Sequence, residues 1–276
     1  MQARERELLV DGVERQFLLA RPDGARGPLP LVIEFHGSGH FAADQMSTSG
    51  FAALGARENF VVAAPEAMLS VQLRPEWPAG YAWNVPGVPL TSGELPDGAP
   101  DDVAFTEALI SLLVAEGIAD KERVYLAGFS GGARMCSYLA GVMPESIAAM
   151  GAVSGLRLPP ASSVPPPPII AFHSLTDDIN PYLGGAGPRW ELGVEDTAAA
   201  FAKRYGWNAP SIERDDGVTR RVYRDSALRE RLVTYTLDVH PHGWTGSHDA
   251  AHNAQYGLPS GAVDATALIW EFFRNK

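Results

Sequence analysis

Two short apolar-bearing runs, "ERELLVDG" and "VERQFLLARP", open the chain and meet at Asp11 and Gly12. The pair of turn-forming residues between them predicts an N-terminal β-hairpin. The continuous apolar run in "PLVIEFHGSGH" predicts a buried strand that stops at Phe35 in a glycine loop; a helix follows around Phe51 to Asn59, then a short strand in "FVVAAPEA". Apolar residues recur at helical spacing in "VAFTEALISLLVAEG", and Gly117 supplies the stop. Asp101 and Asp102 precede that run, where both read as caps that complement the helix dipole. Further on, "VYLAGF" is a buried strand and Ala133 to Ala140 a helix, while "IAAMGAVSG" and "PPIIAFHSLTDD" are core strands joined by the extended, proline-rich "LRLPPASSVPPPP". A helix in "DTAAAFAKRYGW", strands in "TRRVYRD" and "RLVTYTLDV", and a closing helix in "DATALIWEFFR" complete the series.

Strands that alternate with helices predict an α/β chain: a mostly parallel central sheet with helices on both faces and an N-terminal hairpin. No internal repeat breaks residues 1–276 into units, so one domain is expected. The stretch from about Leu69 to Pro100 has no clear period and is rich in Pro, Gly and Trp, which predicts a long loop on the active face.

Composition narrows the function classes. A hydrophobic fraction of 46% is ordinary for a chain that buries a core, and a formal net charge of -11 argues against a nucleic-acid partner, which needs a basic surface. No apolar run is long enough to span a bilayer, and the N-terminal "MQARERELLVDG" lacks the apolar segment of a signal peptide. A single cysteine, Cys136, excludes an intrachain disulfide. The cytoplasm is therefore the expected compartment, with secretion an option if a leader has been removed. The oligomeric state is not legible.

Chemistry concentrates at the predicted strand ends. Gly128, Phe129, Ser130, Gly131 and Gly132 match G-x-S-x-G at a strand-to-helix corner, the context in which that pattern exposes a nucleophilic serine. A serine hydroxyl needs an imidazole to take its proton, and the imidazole needs a carboxylate to orient it. One later strand leads to Asp177 and Asp178, another to His240 and His242, and the order Ser, Asp, His is that of an α/β-hydrolase. In "HGSG" the glycines let backbone N–H groups face a developing oxyanion; the N–H groups of Ser38 and Gly131 are the expected pair.

Taken together, "LVIEFHGSGH", "AWN", "DDVAFTEALI", "VYLAGFSGGARM", "AFHSLTDDINPY" and "HPHGWTG" resemble the polyhydroxybutyrate depolymerase and feruloyl esterase family of α/β-hydrolases, from the first hairpin to the last helix. The resemblance implies Ser130 as nucleophile, Asp177 as the acid in an H-x-x-x-D segment, and His242 as the base in a His-x-Trp-x-Gly segment. It departs from the family at Gly131, where Asn or Gln is frequent, and at Ser174, where Gly is frequent. Neither position supplies a catalytic side chain.

The implied activity is hydrolysis of carboxylic esters through an acyl-enzyme, on small, aryl (feruloyl-type) or short hydroxyalkanoate esters, free or polymer-derived. A thioesterase or a peptidase could use the same triad, and a non-catalytic binding protein could share the fold. No cofactor is needed for serine chemistry. Of Trp77, Trp83, Trp190 and Trp244, all in loops near the active face, Trp83 and Trp244 are the expected aromatic wall for substrate, with His240 beside it. Trp207, Trp270 and Cys136 read as structural. His248, Asp249 and His252 form an H-D-x-x-H cluster that reads as a loop or lid and not as a metal site.

Overall fold

The computed structural model describes residues 1–91, 93–258 and 263–276. Strands β1 (Arg4–Val10) and β2 (Val13–Ala20) form the hairpin, turning at Asp11 and Gly12 with φ of 50° and 81°. The left-handed pair gives the turn the twist that antiparallel strands need. Next come β3 (Leu29–Phe35), α1 (Ala42–Ser49), α2 (Phe51–Glu58) and β4 (Val61–Pro65). A small antiparallel ribbon, β5 (Leu69–Val71) with β6 (Gly80–Ala82), lies within the stretch expected to be loop. Position 92 of that stretch lies outside the described residues.

Helix α3 (Asp102–Ala115) leads to β7 (Ala119–Phe129), which runs straight into α4 (Gly131–Val142). Strands β8 (Ala149–Val153) and β9 (Ile169–Ser174), helix α5 (Val194–Tyr205), strands β10 (Ser211–Asp215), β11 (Val218–Arg224) and β12 (Glu230–Leu237), and helices α6 (Ala250–Tyr256) and α7 (Ala265–Phe273) follow. The main sheet has 10 strands in the order β1-β2-β4-β3-β7-β8-β9-β12-β11-β10. From β4 to β12 the neighbours are parallel, and antiparallel strands finish both edges.

Alternation along the central strands sends side chains to two separate cores. Leu31, Ile33, Phe35 and Leu126 face α3, α4 and α5 through Phe105, Leu139 and Phe201. Val32, Tyr125, Ala127 and Phe129 face the other layer, where Phe51, Ile269, Trp270 and Phe273 bring α2 and α7 against the sheet. Strands β3 and β4 are buried along their whole length, as expected of parallel strands covered on both sides.

The two adjacent aspartates at the start of α3 do different things: both place negative charge at the positive end of the helix dipole, but only one of them caps, which corrects the reading of both as caps. Asp101 is the N-cap, accepting from the N–H groups of Val103 and Ala104 at 2.9 Å. Asp102 is buried and pairs with the equally buried Arg15 at 2.6 Å, and it also accepts from Asn84 N–H at 2.7 Å. One carboxylate thus ties the hairpin, the "AWN" segment and α3 together.

Candidate active site

Parallel strands of this sheet end on one rim, and the chemistry predicted there is built from the segments just beyond their ends. At the end of β7, Ser130 has φ 51° and ψ -111°, a left-handed conformation that a residue with a Cβ adopts only under constraint. The constraint comes from both sides. The Ser130 N–H donates to Val153 O at 2.8 Å, and Gly155 packs so closely that an added Cβ would sit 2.3 Å from Ser130 O. The flanking glycines have steric reasons: a Cβ on Gly128 would come within 2.5 Å of the Gly132 backbone, and one on Gly132 within 2.0 Å of Phe35 O. Only glycine lets β7, α4 and β3 converge here.

His242 lies beside that corner, its ring 5.0 Å from the ring of Phe129. Its Nδ1–H donates to Asp177 Oδ2 at 2.8 Å, which leaves the Nε2 lone pair available to accept a proton. Asp177 is fixed in turn: Oδ1 accepts from the N–H groups of Ile179 and Asn180 at 3.0 and 2.7 Å, and His173 Nε2 lies 3.3 Å from Oδ2. Burial opposes its charge, yet the His242 imidazole, followed by His173 and the Asn180 N–H, holds the carboxyl below its ordinary value. It is an ionised carboxylate. Its neighbour Asp178 is exposed and pairs with Arg74 at 3.0 Å.

The glycine loop after β3 abuts the start of α4, and a Cβ on Gly131 would lie 3.0 Å from Ser38 N. Gly39 N–H donates to Tyr81 O and His40 N–H to Gly37 O, whereas among the described residues nothing accepts from Ser38 N–H. The N–H of Gly131, first residue of α4, is likewise without an intrahelical partner. Both donors sit next to Ser130. The loop is braced from below, as His36 Nδ1–H donates to Gly37 O at 2.8 Å, and its Nε2 accepts from Ala67 N–H at 3.1 Å.

Two expected substrate contacts are corrected. Trp83 is buried in the core, with its Nε1–H donating to His36 O at 2.8 Å and its ring edge-on to Phe35 at 5.0 Å; it supports the glycine loop. Trp244 is fully buried, donates to Thr266 Oγ1 at 2.9 Å and packs on Phe51 at 6.0 Å. Both indoles point into the protein because their N–H groups found internal acceptors. Trp190 is also internal, stacked on His173 at 5.4 Å. The aromatic residues at the site are different ones. Tyr256 of α6 sets its ring 5.6 Å from that of His242, hydrogen-bonds His40 Nε2 at 2.7 Å, and carries the half-buried Trp77 against it at 5.3 Å. Arg74 covers Trp77 at 4.8 Å. Trp77 is one of the four tryptophans expected near the active face, whereas no motif in the sequence marks Tyr256.

His240 is buried, and Thr176 Oγ1 clamps its backbone, accepting from His240 N–H and donating to His240 O. Its Nδ1–H donates to Pro241 O at 2.7 Å, and among the described residues Nε2 has no partner. Burial lowers its pKa. In the H-D-x-x-H cluster, Asp249 caps α6 by accepting from His252 N–H, and His252 Nε2 accepts from Trp244 N–H at 2.9 Å. Burial and then the charge of His40 push the His252 pKa down to about 3, so the ring is a neutral acceptor. Among the described residues, no group of three or more His, Cys, Asp or Glu is placed to hold a metal ion.

A profile of the family described as "Esterase PHB depolymerase" matches residues 16–166, more than half of the sequence. The chain belongs to this family. Among relatives of the PHB depolymerase esterases, feruloyl esterase B of Piromyces equi is 26% identical over 83% of this chain and 43% of its own. Poly(3-hydroxyalkanoate) depolymerase C of Paucimonas lemoignei is 28% identical over 91% of this chain and 65% of its own. The chain thus spans less than two thirds of the length of these curated relatives. The solved acetyl xylan esterase from Aspergillus awamori superposes with a TM-score of 0.62 over 87% of this chain and 94% of that one at 15% identity. This likeness is one of fold: the chain has the α/β-hydrolase fold.

Proposed function

We propose that the protein is a serine carboxylic-ester hydrolase that works through an acyl-enzyme. The observation that carries the reading is the Asp177–His242 hydrogen bond at 2.8 Å beside a serine held at positive φ between two glycine approaches. Ser130 Oγ attacks the ester carbonyl as His242 Nε2 takes its proton; the N–H groups of Ser38 and Gly131 receive the oxyanion. His242 then protonates the departing alcohol, and a water deprotonated by the same nitrogen releases the acid. Asp177 keeps the imidazole in the tautomer with Nδ1 protonated and stabilises its cation. Trp77 and Tyr256 form the apolar side of the site, which suits small and aryl esters, with short hydroxyalkanoate esters next. The names of the relatives, a feruloyl esterase and a polyhydroxyalkanoate depolymerase, favour the same classes. The single cysteine is buried and unpaired, which suits a reducing compartment, and the cytoplasm is the proposed location.

Hydrolysis of p-nitrophenyl acetate, an acyl-CoA and a peptide anilide, compared between wild type and Ser130→Ala, tests the reading. Ester turnover that falls by about three orders of magnitude or more in the variant is expected. Preference for the thioester or the anilide would assign the triad to a thioesterase or a peptidase instead.

A further inference from the structure

One turn beyond Ser130, α4 carries Arg134, which is 4% exposed. Its guanidinium meets the backbone oxygen of Arg189, and the catalytic candidate Asp177 is the acidic group whose field reaches it. Arg157 approaches from the segment that begins at Gly155, the glycine packed on Ser130 O, and its N–H donates to Ser137 Oγ of α4 at 3.1 Å. Arg189 comes from the loop before Trp190 and completes a cluster of three cations.

Peptide carbonyls are the partners of this cluster. Arg134 Nη1 donates to Arg189 O at 3.4 Å, at the limit of a hydrogen bond, and Arg157 Nη1 donates to the same oxygen at 2.8 Å. Arg157 also reaches Pro188 O at 3.3 and 3.2 Å, and Arg189 Nη1 reaches Pro89 O at 3.0 Å. Among the described residues no carboxylate comes within ion-pair distance of any of the three. Elsewhere in this chain of 33 acidic and 22 basic residues, arginines such as Arg15, Arg74 and Arg221 do have carboxylate partners. Glu191 and Asp177 are the acidic groups whose fields reach Arg157 and Arg134. Burial, then the charges of Arg189 and Arg157, pull the Arg134 pKa down to about 9. Like charges gathered about one buried and two half-buried side chains are costly unless an anion joins them. There is room for one: Arg134 and Arg157 line a cavity of about 200 Å³ whose other walls include Val85, Val88 and Leu158.

We infer that this cavity receives a free carboxylate of the substrate, so that the enzyme prefers esters bearing an acid group within reach of one helical turn from the scissile carbonyl. A guanidinium's planar fork matches a carboxylate's two oxygens. The acid group belongs either to the acyl part, as in a dicarboxylic monoester, or to the alcohol part, as in the end of a hydroxyalkanoate oligomer. The inference builds on the esterase reading and deepens it.

Two matched pairs of esters distinguish the sources: p-nitrophenyl hemiglutarate against p-nitrophenyl valerate for the acyl side, and 3-acetoxybutyrate against 2-pentyl acetate for the alcohol side. In wild type at least one acid ester is expected to exceed its neutral partner in kcat/KM by about tenfold or more, the size of a charge-assisted hydrogen bond. That ratio should collapse in Arg134→Met and shrink in the half-buried Arg157→Met, each checked for folding by thermal melt. The ratio is the readout because a general loss of structure lowers both rates together. Neutral esters favoured in both pairs, or a ratio unmoved by either variant, overturns the inference. Calorimetric titration of glutarate into Ser130→Ala separates this from failure of the esterase reading. Glutarate binding that Arg134→Met abolishes upholds the anion site even if no ester is turned over; absence of binding together with absence of acid preference ends it.

Discussion

Ser130 and Glu34 show how single residues are kept in states that a free chain avoids. Ser130 sits at φ 51° because β7, β8 and the glycine pair leave no other path into α4. Its side chain is not what enforces the corner, so Ser130→Ala is expected to fold with a melting temperature close to wild type while losing activity. Glu34, in β3, is fully buried; burial drives its pKa from the ordinary 4.5 up to about 7, against the hydrogen bond from Ser49. In that interval the folded protein holds a proton that the unfolded chain has released, so stability falls as pH rises through the window and levels off above it. Glu34→Gln removes this dependence. Thermal melts should therefore show the variant gaining on wild type between about pH 5 and about pH 8; an equal difference at both would show that Glu34 stays charged. The catalytic candidates were legible because three constrained residue types fall at strand ends in a fixed order, and the choice of Asp177 over Asp178 and of His242 over His240 came from the flanking motif. Glu34 was not legible. Nothing in "LVIEFHG" marks which face of the strand the glutamate takes.

At the scale of elements, the pattern located those whose buried face is apolar and missed those whose buried face is not. Helix α1 buries Gln45, Thr48 and Ser49 along with Met46, so its sequence "AADQMSTS" has no apolar stripe. Strand β10 is exposed along its length at the sheet edge, and α6 buries His252 and Tyr256, a polar pair to any periodicity test. The adjacent aspartates at the start of α3 are indistinguishable in sequence but not in energy. Asp101→Ala removes an N-cap and should cost about 1 kcal/mol. Asp102→Ala strands Arg15 as a buried charge above the Phe105 ring and should cost about 3 to 5 kcal/mol. Denaturant titration of the two variants checks the contrast, and equal losses would mean that the ion pair with Arg15 adds nothing.

Across the whole molecule, the two cores and the sheet between them hold the reactive rim in place, and the tryptophans divide accordingly. Trp244 joins α2, α7 and the segment carrying His242, so Trp244→Ala should lower stability by about 3 to 5 kcal/mol and weaken aryl and acetyl esters alike. Trp77→Ala, at the partly open side of the site, should raise KM for aryl esters more than for acetate esters. Steady-state kinetics on the two ester types separates these outcomes, and a selective effect of Trp244→Ala would reverse the assignment. Tryptophan in a glycine-rich loop was a sound signal of proximity to the site. Which indoles are drawn into the core depended on where each N–H found an acceptor, which spacing along the chain does not encode.

The central claim is that Ser130 is a nucleophile activated by the imidazole that Asp177 orients. It is tested most directly by labelling with an organophosphonate ester and mapping the adduct by peptide mass spectrometry, with wild type and His242→Ala in parallel. The account predicts one adduct per chain, on Ser130, formed in step with loss of esterase activity and much more slowly in His242→Ala. An adduct on another residue, or full activity with Ser130 labelled, would contradict it.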